Sequence, residues 1–312
     1  MKVLVVGGAG YVGDFLVNTL ITKGYKVIVV DNLMYTDRYL KDVRFINADI
    51  TDNFMMKAIV DGNKPDYVIW AAALVGDPIC AAMPAKAFQI NTQAVLDFIK
   101  VYDGPMFYFS TCSVYGANNE ILNEDSPVNP LSVYASSKLE AERALLARGN
   151  VLVYRLGTLL GMSGIDARPR FDLVGNALTL KAVSNSPITV FGGEQMRPLM
   201  SVKEVAHSVA FGMQNQLTGL YNIAEVNMNI SDLALLIKDM TGSKSPIVTR
   251  DIQFEDMRNY KVDCSKLQST GWRVLYPIKY AIAEFADIIT SKRVKNPDYS
   301  LYYNGRYEWS LN

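Results

Sequence analysis

Tyr134 and Lys138 stand four residues apart in the run Tyr-Ala-Ser-Ser-Lys. On a helix that spacing puts a phenol and an ammonium on one face. Moving a hydride to or from a carbinol carbon requires a proton on or off its oxygen, and a positioned phenol can carry that proton. With an ordinary pKa near 10, the phenol is a poor base at neutral pH. An ammonium about 4 Å away contributes roughly 4 kcal/mol at an effective dielectric near 20, or about 3 pKa units before desolvation is subtracted. Lys138 is therefore expected to depress the pKa of Tyr134. Of the 18 tyrosines only Tyr134 has a lysine four residues on. Shortly before it, an apolar run at Met106–Phe109 ends in Ser110-Thr-Cys-Ser113. A hydroxyl at the C-terminal end of a parallel strand faces the ligand crevice, so Thr111 is expected to hydrogen-bond the reacting oxygen.

Gly7-Gly-Ala-Gly-Tyr-Val-Gly13 follows the apolar run Lys2-Val-Leu-Val-Val6 and opens a helical pattern. Gly7 permits the tight turn, Gly10 lets a pyrophosphate approach the backbone, and Gly13 lets helix and strand pack closely. Tyr11 and Val12 complete this turn, where helix N-terminal N–H groups favour phosphate. The glycine spacing alone is weak evidence. Val27-Ile-Val-Val-Asp31 strengthens it, because the run ends in a carboxylate where an adenosine ribose should lie. A carboxylate there accepts both ribose hydroxyls and repels a 2′-phosphate. Asn32 follows, with no arginine immediately after Asp31, so the expected cofactor is NAD rather than NADP. Asp49-Ile50 follows a further short strand and is expected at the adenine edge. Lys138 is expected to hold the nicotinamide ribose.

Short continuous apolar runs can position these groups: Val3–Val6, Val27–Val30, Tyr67–Trp70, Phe107–Phe109 and Val151–Tyr154. Continuous runs fit strands covered on both faces. Helical patterns lie between them at Tyr11–Lys23, Phe54–Asp61, Ala85–Tyr102 and Val133–Arg148. Such alternation predicts an α/β fold of Rossmann type, a doubly wound parallel sheet. Residues 1–160 are read as the dinucleotide-binding domain. Residues 161–312 are read as a smaller substrate-binding region packed on the sheet edge, some of whose segments return to the sheet. Its helices are expected at Asp172–Val183, Val202–Asn215, Ser231–Met240 and Ile278–Thr290. The stretch from Pro297 to Asn312, rich in Tyr and Trp, is too aromatic for a solvated linker. It is expected to pack on the body, on a partner subunit or over the site.

Composition excludes several classes. The 31 Lys and Arg balance 31 Asp and Glu, which argues against a nucleic-acid or anionic-membrane surface. Three scattered cysteines, Cys80, Cys112 and Cys264, form neither a disulfide framework nor a metal site, and fit a reducing compartment. No apolar run approaches the roughly 20 residues needed to span a bilayer. The chain opens on a strand without a charged-then-apolar leader, so the cytoplasm is expected.

As a set, Gly7–Gly13, Asp31, Asp49-Ile50, Ala71-Ala72-Ala73, Asn91, Thr111, Tyr134 and Lys138 resemble the extended short-chain dehydrogenase/reductases that act on nucleotide sugars. The resemblance implies that Ala71, Ala72, Ala73 and Asn91 contact the cofactor. It places Arg170 and Asn176 near the sugar diphosphate. Arg197 and Arg258 look like the family's phosphate-contacting arginines, and Val75, Asp77 and Ser113 would line the sugar pocket. A homo-oligomer, dimer or tetramer, built on the helices at Ala85–Tyr102 and Val133–Arg148 is also implied. The likeness runs from Met1 to about Trp272.

Departures narrow the reaction. Family dehydratases and decarboxylases carry acidic residues just after the catalytic threonine, whereas this chain has Cys112 and Ser113. The only histidine, His207, falls in an apolar helix pattern and is read as structural. Trp70 replaces a common histidine, and Thr158 stands where many members have asparagine. What remains is redox at one sugar carbon, C4. The whole sequence most resembles bacterial capsule-pathway enzymes that oxidise or reduce GDP-linked heptoses, although no motif reads guanine. A C4-epimerase shares the same machinery. A non-catalytic dinucleotide sensor is the alternative of another class, disfavoured because both Tyr134 and Lys138 are present.

Overall fold

Val3, Leu4, Val5 and Val6 are all fully buried, so their strand is covered on both faces, as its continuous apolar run requires. It is β1 (Lys2–Val6) of a computed structural model that describes residues 1–36, 39–251 and 259–304. Next come α1 (Gly13–Thr22), β2 (Lys26–Asp31), β3 (Arg44–Asn47), α2 (Asn53–Asn63) and β4 (Tyr67–Trp70). Then follow α3 (Asp77–Ala82), α4 (Pro84–Phe88), α5 (Ala94–Phe98), β5 (Met106–Thr111), β6 (Ala117–Leu122), α6 (Val133–Arg148) and β7 (Val151–Leu156). Local chemistry sets several ends. The Asp52 carboxylate accepts from Met55 N at 2.9 Å to start α2, and Ser132 Oγ accepts from Ala135 N at 3.2 Å to start α6. Such caps satisfy amides that have no partner inside the helix.

Two expected helices differ. Ala85–Tyr102 is not one helix: a π-helical turn at Gln89–Gln93 separates α4 from α5, which ends at Phe98. The wider turn carries Asn91, in keeping with the frequency of such turns at functional sites. The helix expected from Asp172 begins at Val174, because the Asp172 carboxylate takes a bidentate pair with Arg170 instead of capping.

Beyond β7 come β8 (Thr158–Leu160), α7 (Val174–Val183), β9 (Ile188–Phe191), β10 (Met196–Ser201), α8 (Val202–Gln214) and β11 (Gly219–Ile223). The chain continues through β12 (Val226–Asn229), α9 (Ile230–Thr241), β13 (Ile247–Arg250), β14 (Asn259–Val262), α10 (Ser265–Ser269) and α11 (Ile278–Thr290). Seven strands form one parallel sheet in the order β3-β2-β1-β4-β5-β7-β11. One face packs apolar residues of α2, α5 and α6, the other those of α1 and α8. A third apolar cluster joins α7, α9 and α11 to β9 and β10.

The division expected at residue 160 is crossed: β11 and α8, from beyond it, complete the sheet and cover its face. The aromatic tail packs on the body as far as it is described. The Tyr302 and Tyr303 rings lie 5.2 and 6.2 Å from that of Phe171, and Tyr303 and Asn304 reach the large cavity described next. No helix among the described residues is long and apolar enough to cross a membrane.

Candidate active site

The strand order turns back between β1 and β4, so the loops leaving their C-terminal ends diverge and open a crevice. The crevice is a cavity of about 710 Å³. Gly7 has φ +86°, a conformation that favours glycine, and a Cβ on it would meet Ala72 N at 2.4 Å. A Cβ on Gly13 would meet Gly7 O at 2.4 Å, so helix and turn touch through backbone. Gly10 differs, because a Cβ there would meet within 4 Å only Gly7 O, at 3.4 Å. Its bare side borders the cavity, together with Tyr11, Val12 and Gly13. Gly8 closes the turn against Val29, which a Cβ on it would meet at 2.7 Å.

Asp31 lines the cavity at the end of β2. Its Oδ2 accepts from Ala9 N at 3.0 Å and its Oδ1 from Leu33 N at 2.9 Å. Each carboxylate oxygen has a second lone pair, enough for the two hydroxyls of a ribose. Burial raises the Asp31 pKa, and the amides of Leu33, Ala9 and Asn32 oppose the rise. Asn32 Nδ2 donates to Asp49 Oδ2 at 3.2 Å, and Asp49, Ile50, Ala71, Ala72 and Ala73 border the same space. The glycine turn with its bare Gly10 and the Asp31 carboxylate fit a dinucleotide without 2′-phosphate.

Asn91 does not line the cavity as the resemblance implied. Its Oδ1 accepts from Leu74 N at 2.8 Å, and its Nδ2 donates to Leu74 O at 2.9 Å and Ser137 Oγ at 3.1 Å. The amide is consumed in tying the loop after β4 to α6. Asn176 likewise falls outside the lining. It is 1% exposed, accepts from Gly161 N at 2.7 Å, and donates to Gly161 O and Arg170 O at 2.9 and 2.7 Å. Tyr11 donates its hydroxyl to the same Gly161 carbonyl at 2.7 Å. Arg258 lies outside the described residues.

Thr111, Ser113, Tyr134 and Lys138 border one cavity. Thr111 ends β5, and its Oγ1 accepts from Ser113 N at 3.1 Å. Tyr134 and Lys138 lie one turn apart on α6. The expected depression of the Tyr134 pKa is reversed in the polypeptide alone. Burial pushes the phenol up, the Asp77 carboxylate and the Cys80 thiol oppose a second negative charge there, and the opposing cation is Arg170 rather than Lys138. Burial also pushes Lys138 down to about 7, against the field of Glu142. In both groups desolvation outweighs the opposing charges, Arg170 for Tyr134 and Glu142 for Lys138.

Val75, Asp77, Arg170 and Arg197 border the cavity as well. Arg170 is neutralised by the Asp172 carboxylate, with both N–H···O bonds at 2.7 Å. Arg197 is 3% exposed and stacks toward the Tyr260 ring. Cys112 is buried away from the cavity, its thiol donating to Arg155 O at 3.1 Å. Trp70 packs in the core 4.9 Å from Phe98. His207 is outside the lining, 2.8 Å from Glu204 Oε1. Sequence reasoning missed Arg168, Tyr35, Tyr260 and Asn304, which also border the cavity. The Arg168-Pro-Arg170 pair was a usable signal, as was Tyr260, two residues after Arg258.

Fold and cavity together define a dinucleotide-binding α/β protein. Residues 3–224 match the NAD dependent epimerase/dehydratase family, and the chain belongs to it. It is 26% identical over 304 residues to a UDP-glucose 4-epimerase of Lactobacillus helveticus, covering 88% of this chain and 92% of that one. It is 27% identical over 311 residues to a probable dTDP-glucose 4,6-dehydratase of Sinorhizobium fredii, covering 88% of each. Among solved structures it is similar to UDP-glucose 4-epimerase of Thermotoga maritima with UDP-glucose (TM-score 0.84, 24% identity, 94% of this chain and 100% of that one). The Thermus thermophilus UDP-glucose 4-epimerase in complex with NAD matches at TM-score 0.81 and 23% identity, covering 92% and 98%. The cofactor of the family is NAD.

Proposed function

We propose that the chain oxidises or reduces C4 of a nucleotide-activated sugar and releases the product. The observation that carries this reading is the joint placement of Thr111, Tyr134 and Lys138 on one cavity with Asp31 and the glycine turn. Tyr134 takes the proton from the C4 hydroxyl as a hydride leaves C4, and returns it in the reverse direction. Thr111 donates a hydrogen bond to the same oxygen, which holds it in line. Lys138 holds the nicotinamide ribose. Bound NAD would supply the hydride acceptor or donor. Burial favours the protonated phenol in the polypeptide alone, which is the form that reduces a 4-ketone. Arg197 takes the diphosphate, with the Arg170–Asp172 pair lining the same cavity, while Asp77, Val75 and Ser113 line the sugar.

The whole-sequence resemblance makes a GDP-linked heptose of bacterial surface-polysaccharide synthesis the first substrate to test. Such an enzyme works in the cytoplasm as a homo-oligomer. A C4-epimerase is the second reading, favoured by the UDP-glucose 4-epimerases among the relatives. Incubating the chain with GDP- and UDP-sugars, with product stereochemistry and cofactor absorbance followed together, separates the two. Net NADH formation with a 4-keto product, or NADH consumption as an added 4-keto sugar becomes a 4-hydroxy sugar, supports the first reading. Epimer formation without net cofactor change supports the second.

A further inference from the structure

Arg168 is 8% exposed, borders the cavity, and belongs to neither the catalytic set nor the expected diphosphate contacts. Among the described residues no carboxylate is paired with it. Its guanidinium lies 3.7 Å from the centroid of the Tyr35 ring, on the loop that follows Asp31. It donates to Leu301 O and Asn304 Oδ1, and Asn304 Nδ2 in turn donates to Val75 O. These partners are neutral. Two residues on, the Arg170 charge is spent on Asp172. Burial, with Arg170 nearby, pushes Arg168 down to about 10. The Asp172 carboxylate acts on Arg168 through space and not as an ion-pair partner, and a buried guanidinium hydrogen-bonded to neutral groups is costly unless an anion completes the site.

The loop that carries Arg168 is fastened to the glycine turn. Tyr11, within that turn, donates to Gly161 O, and Asn176 joins Gly161 to Arg170. Arg168 therefore borders the same cavity as the glycine turn and Asp31, against Tyr35 of the loop after Asp31. We propose that Arg168 supplies the cation for the pyrophosphate of the dinucleotide, and that the C-terminal segment holds it there through Leu301 and Asn304. A planar guanidinium suits a phosphate oxygen pair, and its cation–π contact with Tyr35 helps to hold it. The aromatic tail thereby becomes part of the cofactor site. The assignment rests on NAD as the cofactor.

Calorimetric titration of the full chain with NAD, ADP-ribose, GDP and UDP tests it. Arg168→Met is expected to weaken NAD and ADP-ribose about tenfold and leave GDP and UDP within about twofold. Arg168→Lys keeps the charge but loses the planar fork, and should bind NAD and ADP-ribose more weakly than the parent and more tightly than Arg168→Met. Asn304→Ala frees the guanidinium and should weaken ADP-ribose about threefold. Unchanged ADP-ribose binding in Arg168→Met, a loss confined to GDP and UDP, or an equal loss for all four would overturn the assignment. Unchanged binding in Asn304→Ala would overturn the role of the tail. If the parent bound neither NAD nor ADP-ribose, the cofactor reading itself would fall, an outcome distinct from tight parent binding that Arg168→Met leaves intact.

Discussion

The Lys138 ammonium stands 4.0 Å from the centroid of the Tyr108 ring, with both side chains buried. A desolvated cation–π contact of this kind is worth about 2 kcal/mol, less than the cost of burying the charge. Lys138 accordingly falls to about 7 from its ordinary value near 10.5. Between those values the unfolded chain keeps the lysine proton and the folded chain releases it. Because the unfolded state binds more protons, stability rises with pH across that window. The gain is complete above about pH 10.5 and lost as pH falls to about 7, with an upper slope of about 1.4 kcal/mol per pH unit. Urea unfolding of the ligand-free chain at pH 7 and pH 9 should show the rise, and Lys138→Met should remove it. A parent and a variant with the same pH profile would refute the assignment.

Tyr134→Phe keeps the ring and removes the proton carrier. Turnover should fall by about 10²- to 10⁴-fold, the usual contribution of a positioned acid or base. Affinity for NAD, measured by titration, should stay within about twofold. Near-native turnover in the variant would remove Tyr134 from the chemistry.

Gly10 and Gly13 make opposite demands. Alanine at Gly13 drives its Cβ to 2.4 Å from Gly7 O, a backbone atom of the turn, and overpacking of this kind costs about 1–3 kcal/mol. Alanine at Gly10 meets only Gly7 O, at 3.4 Å. It should melt near the parent temperature while binding NAD at least tenfold more weakly, because the methyl occupies the phosphate approach. Equal thermal losses in the two variants would contradict this division.

On the catalytic helix, four residues beyond Lys138, Glu142 is 1% exposed and accepts three hydrogen bonds from Arg155 at 2.6 to 3.2 Å, plus one from the Ser110 hydroxyl at 2.5 Å. Arg155→Met leaves a buried carboxylate without its cation, and should cost about 3–5 kcal/mol in denaturant unfolding. The double variant Glu142→Met with Arg155→Met should recover much of that loss, because no charge is then stranded. A double variant no more stable than Arg155→Met alone would show that packing, rather than charge, sets the cost.

The sequence was most legible where one residue type serves one backbone need. Helix α6 falls on its expected residues because Ser132 caps it, and the sheet strands fall on continuous apolar runs because both faces are buried. Side chains that could face either a ligand or the protein were not legible. Asn91 and Asn176 sit at family positions, yet their amides are consumed by Leu74 and Gly161. Burial, which no spacing reveals, reversed the expected pKa of Tyr134. Arg168 escaped notice because its partners, Tyr35 and Asn304, lie far away in sequence.

The last strand of the sheet, β11, pairs with β7 from Gly219 to Ile223. During synthesis the outer edge of β7 therefore emerges with its hydrogen-bonding groups bare, and stays so until Ile223 has left the ribosome. An uncovered edge of this kind is a template for strands of other chains. A shortened product ending near residue 160 would carry the whole glycine turn and the Tyr–Lys pair and still be prone to aggregate. For this protein, protection from misassembly depends on the order in which residues are made as well as on the contacts they finally form.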